Sequence, residues 1–206
     1  FSFGIGSGDT VTLVNSTGEV LDSVLLEGSA AEDVTFSRIP DVIGDFRQTR
    51  PSAGVFNSPV VVNEIASKGS DGTCDGEDWI EVLNTVDFPV SLANHMLSDD
   101  KGCADEDAFT FSSNDALEAF EIKVLCKDQD FAFGIGKSDT IYLMGPSGVE
   151  LARIQLPGEQ STNISWSRVM ENDVWVYEAT AATPGEENAP APPSAPFSPS
   201  LPPTTI

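Results

Sequence analysis

An all-β sandwich is the fold class that this sequence predicts, on three observations. Turn formers are spread along the whole chain, 17 glycines and 14 prolines, while Val, Ile, Thr and Phe cluster in short runs between them. That is the composition of strands joined by tight turns, and the helix-forming signal is weak. The runs also alternate with period two. In "NISWSR", Ile164 and Trp166 point one way and Asn163, Ser165 and Ser167 the other, which predicts one face on a core and one in water. Finally, the strand signals recur at the short spacing of a sandwich.

The elements follow in order. "FSFGIGSGDTVTL" opens the chain at Phe1, and "FAFGIGKSDTIYL" repeats it from Phe131, with eight of the thirteen positions identical. Laid over each other at an offset of 130, residues 1–38 and 131–168 match at 14 of 38 positions, among them Gly18/Gly148, Leu21/Leu151, Gly28/Gly158, Ser37/Ser167 and Arg38/Arg168. Beyond that the register slips by a few residues, and both copies reach an aromatic (Phe46, Trp175), a Thr/Pro/Gly segment and an Asn (Asn57, Asn188). A period of 130 is too long for a solenoid and fits a complete domain. Residues 58–130 have no second copy, so the chain predicts the second half of one unit at 1–57 and a whole unit at 58–188. Half a sandwich should expose apolar strand faces and unpaired edges.

Within the whole unit the predicted strands are "VVVNEIA" (60–66), "DWIEVLN" (78–84), "FTF" (109–111), "EIKVLC" (121–126), "DTIYLMG" (139–145), "ELARIQL" (150–156), "NISWSRV" (163–169) and "DVWVYE" (173–178). In "DWIEVLN", Ile80 and Val82 share one side, and Trp79, Glu81 and Leu83 the other. The tail at 189–206 carries seven prolines within "PAPPSAPFSPSLPPTTI" and no charge there, which predicts an extended polyproline linker.

Charge narrows the partners. The net charge is −23 with only ten basic residues, scattered along the chain. Such a field repels nucleic acid and anionic lipid, so no nucleic-acid binding is expected. There is no apolar run of the roughly 18 residues that a membrane-spanning helix needs, so no membrane insertion is expected. The chain opens on Phe1 instead of Met, which predicts a fragment or a processed chain.

Catalytic and cofactor motifs are missing from the sequence. His95, the single histidine, lies among Leu92, Met96 and Leu97, and a structural imidazole is the expected role. No Ser or Cys stands in a nucleophile motif. The Gly-Ile-Gly of the repeat lacks both phosphate-loop patterns and precedes a strand instead of a helix. A turn is therefore expected, with glycine supplying positive φ. Two acid-rich loops, "SDGTCDGED" (70–78) and "SDDKGCADEDAF" (98–109), offer hard oxygen ligands of the kind calcium uses. The candidate ligands are Asp99, Asp100, Asp105, Glu106 and Asp107, without an EF-hand pattern.

Each acidic loop also holds one cysteine. A Cys74–Cys103 disulfide is the expected pairing, leaving Cys126 as a buried thiol at a strand end. Asn15 and Asn163 head N-x-[ST] sequons, candidate glycan sites in a secreted protein.

Several of these segments, in order, resemble a lamin-tail domain, the immunoglobulin-like module of nuclear lamins that also occurs in bacterial and algal surface or secreted proteins. The matching elements are "NEI" (63–65), "DWIEVLN", "VSLANHMLSDD" (90–100), "FTF", "FGIGKSDTIYL", "SWSR" (165–168) and "TPGEEN" (183–188). Residues 1–57 match the second half only. The family usually has Gly-Trp at Asn94-His95, and the cysteines and the acidic insertion at 101–107 depart from its pattern. The resemblance implies an immunoglobulin-like sandwich, no catalysis, and a binding or structural module of a larger extracellular or cell-surface protein. Its partners would be proteins, a cell surface or other domains of the same chain. An accessory domain of a secreted enzyme and a nuclear lamin-like role are the alternatives that the same resemblance implies.

Overall fold

The computed structural model describes residues 4–28, 35–39, 44–49, 57–171 and 174–189. Of the expected linker at 189–206, residues 190–206 lie outside the described residues, as do residues 50–56 in the Thr/Pro/Gly segment of the first copy.

The described chain is all-β, and its one helical piece is a 3-10 turn at Cys74–Gly76. The first copy forms two hairpins, β1 (Thr10–Val14) with β2 (Val20–Leu25), and β3 (Thr35–Ile39) with β4 (Asp45–Thr49). The strands that follow are β5 (Val60–Ala66), β6 (Trp79–Asn84), β7 (Val90–Ser91), β8 (Met96–Ser98), β9 (Phe109–Thr110), β10 (Ala116–Leu117) and β11 (Ile122–Cys126). The second copy supplies β12 (Thr140–Met144), β13 (Glu150–Gln155), β14 (Ile164–Glu171) and β15 (Val174–Ala181).

Two antiparallel sheets form a sandwich-like pair, in the orders β11-β6-β5-β14-β15 and β13-β12-β8-β9, with β7 and β10 as a small separate ladder. Their apolar positions meet in one core. Val62, Ile65, Ile80 and Leu125 come from the five-stranded sheet, and Leu97, Ile141, Leu143 and Ile154 from the other. Each fully buried aliphatic of this kind contributes roughly 1.5–3 kcal/mol of transfer free energy. β6 lies inside its sheet and is covered on both faces. Ile80 and Val82 enter the main core, while Trp79 packs with Ala66 and Cys74 in a second cluster behind it.

The repeat is reproduced in three dimensions. In β1–β2 the pairs are Thr10↔Leu25, Val11↔Val24, Thr12↔Ser23, Leu13↔Asp22 and Val14↔Val20, with a bulge at the last step. Every pair of β12–β13 is the same pair 130 residues on, from Thr140↔Gln155 to Met144↔Glu150, with the same bulge. In the second hairpin, Arg38↔Phe46 corresponds to Arg168↔Tyr177, so the register gains a single residue there.

The Gly-Ile-Gly segment is a turn into a strand in both copies. The Gly6 N–H donates to Asp9 Oδ2 at 2.7 Å, and the Gly136 N–H to Asp139 Oδ2 at 2.5 Å. The expected positive φ is not found at Gly4, Gly6, Gly134 or Gly136. What Gly136 supplies is room: a Cβ there would lie 2.7 Å from Asp139 Oδ1. The residue is glycine so that the aspartate can fold back onto its amide.

The water-facing role expected for Ser165 and Ser167 is also overturned. Both are fully buried, because the chain after β15 returns over that face of β14.

Candidate functional site

The most developed polar site lies under that returning segment. Strict alternation in "VVVNEIA" would send Val60, Val62 and Glu64 into the core. A bulge between Val62 and Glu64 flips the parity, so Val62 and Ile65 both enter the core and Glu64 turns to the opposite face. There it sits directly across from Glu81 of β6. Both carboxylates are fully buried.

Neutral donors surround the pair. Glu64 accepts from the Ser165 hydroxyl, from Thr183 N–H at 2.9 Å and from Thr183 Oγ1 at 3.1 Å. Glu81 accepts from Asn63 Nδ2 at 2.6 Å and from Gly185 N–H at 2.8 Å. Asn188 closes the segment by donating to the carbonyls of Asn63 (2.9 Å) and Arg168 (3.0 Å). Residues 183–188 thus form a strap held by two buried acids. Burial pushes the Glu81 carboxyl up to about 7; the Glu64 charge adds to this, and the bonds from Asn63 and Gly185 oppose it. The sequence names neither acid as a site residue. Its available signal was a glutamate inside two otherwise apolar runs.

The acidic loop is arranged differently from the expectation. Asp99 and Asp100 meet Asp139, from the Gly-Ile-Gly turn, with ligand atoms within 4.8 Å of one another. Asp105, Glu106 and Asp107 are not members of that group. The Lys101 ammonium lies between them, 4.0 Å from Asp99 and 3.5 Å from Asp107. The Asp105, Asp99 and Asp107 charges raise its pKa. Two of the three carboxylates also accept from a backbone amide, Asp99 from Lys101 N–H at 3.0 Å and Asp139 from Gly136 N–H at 2.5 Å.

The expected Cys74–Cys103 pairing is incorrect. Cys74 is bonded to Cys126. Register explains why: Cys126 pairs with Trp79, Trp79 with Ala66, and the 3-10 turn folds Cys74 onto this patch. Cys126 is therefore not a thiol. Cys103 is free, with Sγ 3.2 Å from Ser98 Oγ.

His95 is buried, and desolvation holds its imidazole below the ordinary value, the Leu92 and Ala93 carbonyls only partly offsetting this. Asn94 before it has φ 61°, a left-handed conformation. Beside the turn at Gly136 a shallow cleft lies among Lys68, Glu77, Asp78 and Lys127. The amides that could face an anion there are taken, Ile135 N–H by Asp78 at 2.9 Å and Gly136 N–H by Asp139. Of the sequon asparagines, Asn15 Nδ2 donates to Glu19 (2.9 Å) within its own turn, and Asn163 Nδ2 donates to Asp71 (2.8 Å), tying it to the loop after β5.

No protein-family model matches the chain, and no curated protein matches it.

Proposed function

We propose that this chain is a non-catalytic binding or structural module of a larger extracellular or cell-surface protein. Its whole unit, 58–188, is read as an immunoglobulin-like sandwich of the lamin-tail type, preceded at 1–57 by the second half of another. The observation that carries the reading is the repetition of one hairpin at an offset of 130, pair for pair, down to its bulge and its aspartate-capped turn. Repetition of a scaffold without a repeated reactive group is what spacing and interaction modules need.

Three further observations support it. The buried acids are engaged in holding the strap and not in facing a cleft. Asn94 adopts the left-handed φ that suits the glycine of the resembled family at that position. The Cys74–Cys126 disulfide favours an oxidising compartment over the nucleus.

The test is an activity screen of the purified full chain against chromogenic glycosides, esters and phosphoesters. Turnover equal to buffer is expected. Turnover above buffer that disappears in Glu81→Gln would overturn the reading.

A further inference from the structure

The two copies of the hairpin differ in one respect, which is what covers them. In the second copy Ile135, Ile141, Leu143, Ile154 and Leu156 are all buried in the core. The matching residues 130 positions earlier are Ile5, Val11, Leu13, Val24 and Leu26, every one aliphatic. Ile5 is 54% exposed and Leu13 60%, against 6% and 0% for Ile135 and Leu143. Leu21 is exposed where Leu151 packs against the core.

The edges differ in the same way. β12 pairs on its second side with β8, through Tyr142↔Ser98, Leu143↔Leu97 and Met144↔Met96. β1 pairs with β2 alone in a two-stranded sheet, so the edge at Thr12, Leu13 and Val14 has no strand beside it among the described residues. An apolar face joined to an open strand edge is a template for strand addition.

We infer that the β1–β2 hairpin is the docking surface for a first-half segment, a polypeptide with the strand pattern of residues 58–130, belonging to a further repeat of the 130-residue unit. The second copy displays the completed form of the same surface. There the residues 58–130 supply the β8-type strand at the edge and the β5- and β6-type strands across the core. That set is already closed on β12–β13 in this chain, so β1–β2 calls for another one. A second copy of the hairpin fits less well, since stacking two such faces would leave both β1 edges unpaired. The inference rests on the reading of the chain as an interaction module, and it names the partner.

The experiment appends a second 58–130 segment directly before Phe1 of the full chain. This reproduces the junction of the second copy, in which Asp130 precedes Phe131. Hydrogen exchange is then compared between the chain with and without the added segment. Amides 12–14 should exchange on the order of ten-fold or more slowly in the extended chain, with no change at 140–155. Leu13→Asp should abolish the protection; Leu13 is exposed, so the parent chain tolerates the change. Leu21→Asp serves as a second variant on the same face. Unchanged exchange at 12–14, or protection that survives both variants, would overturn the inference. Protection at 12–14 in the parent chain that grows with its own concentration would overturn it in favour of a second copy. None of these outcomes bears on the activity screen, so the two readings fail separately.

Discussion

Glu64 and Glu81 face each other across β5 and β6, both fully buried, with a strap of chain bonded to each. Two like charges side by side in a low dielectric favour keeping a proton on one of them. Burial and the Glu64 charge together lift Glu81 from its ordinary 4.5 to about 7.

The sign of the pH dependence follows. A carboxyl with a raised folded pKa binds more protons folded than unfolded, so stability from this group falls as pH rises between 4.5 and about 7. It is fully present below that window and level above it. The span corresponds to roughly 3 kcal/mol. Glu81→Gln cannot titrate. The stability difference between wild type and Glu81→Gln, from urea unfolding at a series of pH values, should therefore shift across this window in wild type's disfavour as pH rises. A difference flat from pH 4 to 8 would show that Glu81 titrates normally.

The strap itself is testable at its two ends. Thr183→Val removes a hydroxyl donor from buried Glu64, and Asn188→Ala removes donors from two carbonyls. Each should cost about 1–3 kcal/mol, because a buried acceptor loses its partner. Glu186→Ala, on the exposed side of the same segment, should stay within about 0.5 kcal/mol of wild type. Equal losses at all three positions in thermal melts would mean that the strap acts through its backbone alone.

How much of this was legible in the sequence depended on the range of the interaction that decides each feature. β5, β6 and β11 to β15 are runs of five residues or more, and they lie where "VVVNEIA", "WIEVLN" and "SWSR" predict. β8 is three residues long, and its strand character comes from pairing with β12, a contact that no local pattern announces. The bulge at Asn63 is equally silent locally, yet it decides whether Glu64 points into the core or under the strap. Ser165 and Ser167 read as solvent-facing because polar residues on one strand face usually are; a segment 16 or more positions later buries them. The cysteine pairing needed the β6–β11 register, which two acidic loops of similar composition could not supply.

That pairing gives a clean contrast. Cys126→Ser opens a disulfide spanning 52 residues, which by loop entropy is worth about 4 kcal/mol. Cys103→Ser removes a free thiol near Ser98 and should cost under about 1 kcal/mol. Non-reducing thermal melts should show a large fall for the first variant only, and dithiothreitol should lower wild type while leaving Cys126→Ser unmoved. The reverse ranking would mean that Cys103 is the bonded partner.

The loop that presents Cys74 depends on a close approach of backbone to backbone. Gly69 has φ +63°, and a Cβ there would lie 2.1 Å from the Gly76 carbonyl oxygen, at the end of the 3-10 turn. Gly72 has φ +80° in the same loop with nothing within 4 Å of its Cβ. Both positions carry the left-handed penalty for an alanine, roughly 1 kcal/mol, so their difference isolates the clash. Backbone cannot move aside as a flexible side chain can, and the loop would have to leave the strand ends. Gly69→Ala should therefore destabilise by several times as much as Gly72→Ala and should slow reformation of the Cys74–Cys126 bond after reduction, read by mass spectrometry of alkylated intermediates. Matching losses for the two alanines would place the whole cost in φ and none in the contact with Gly76.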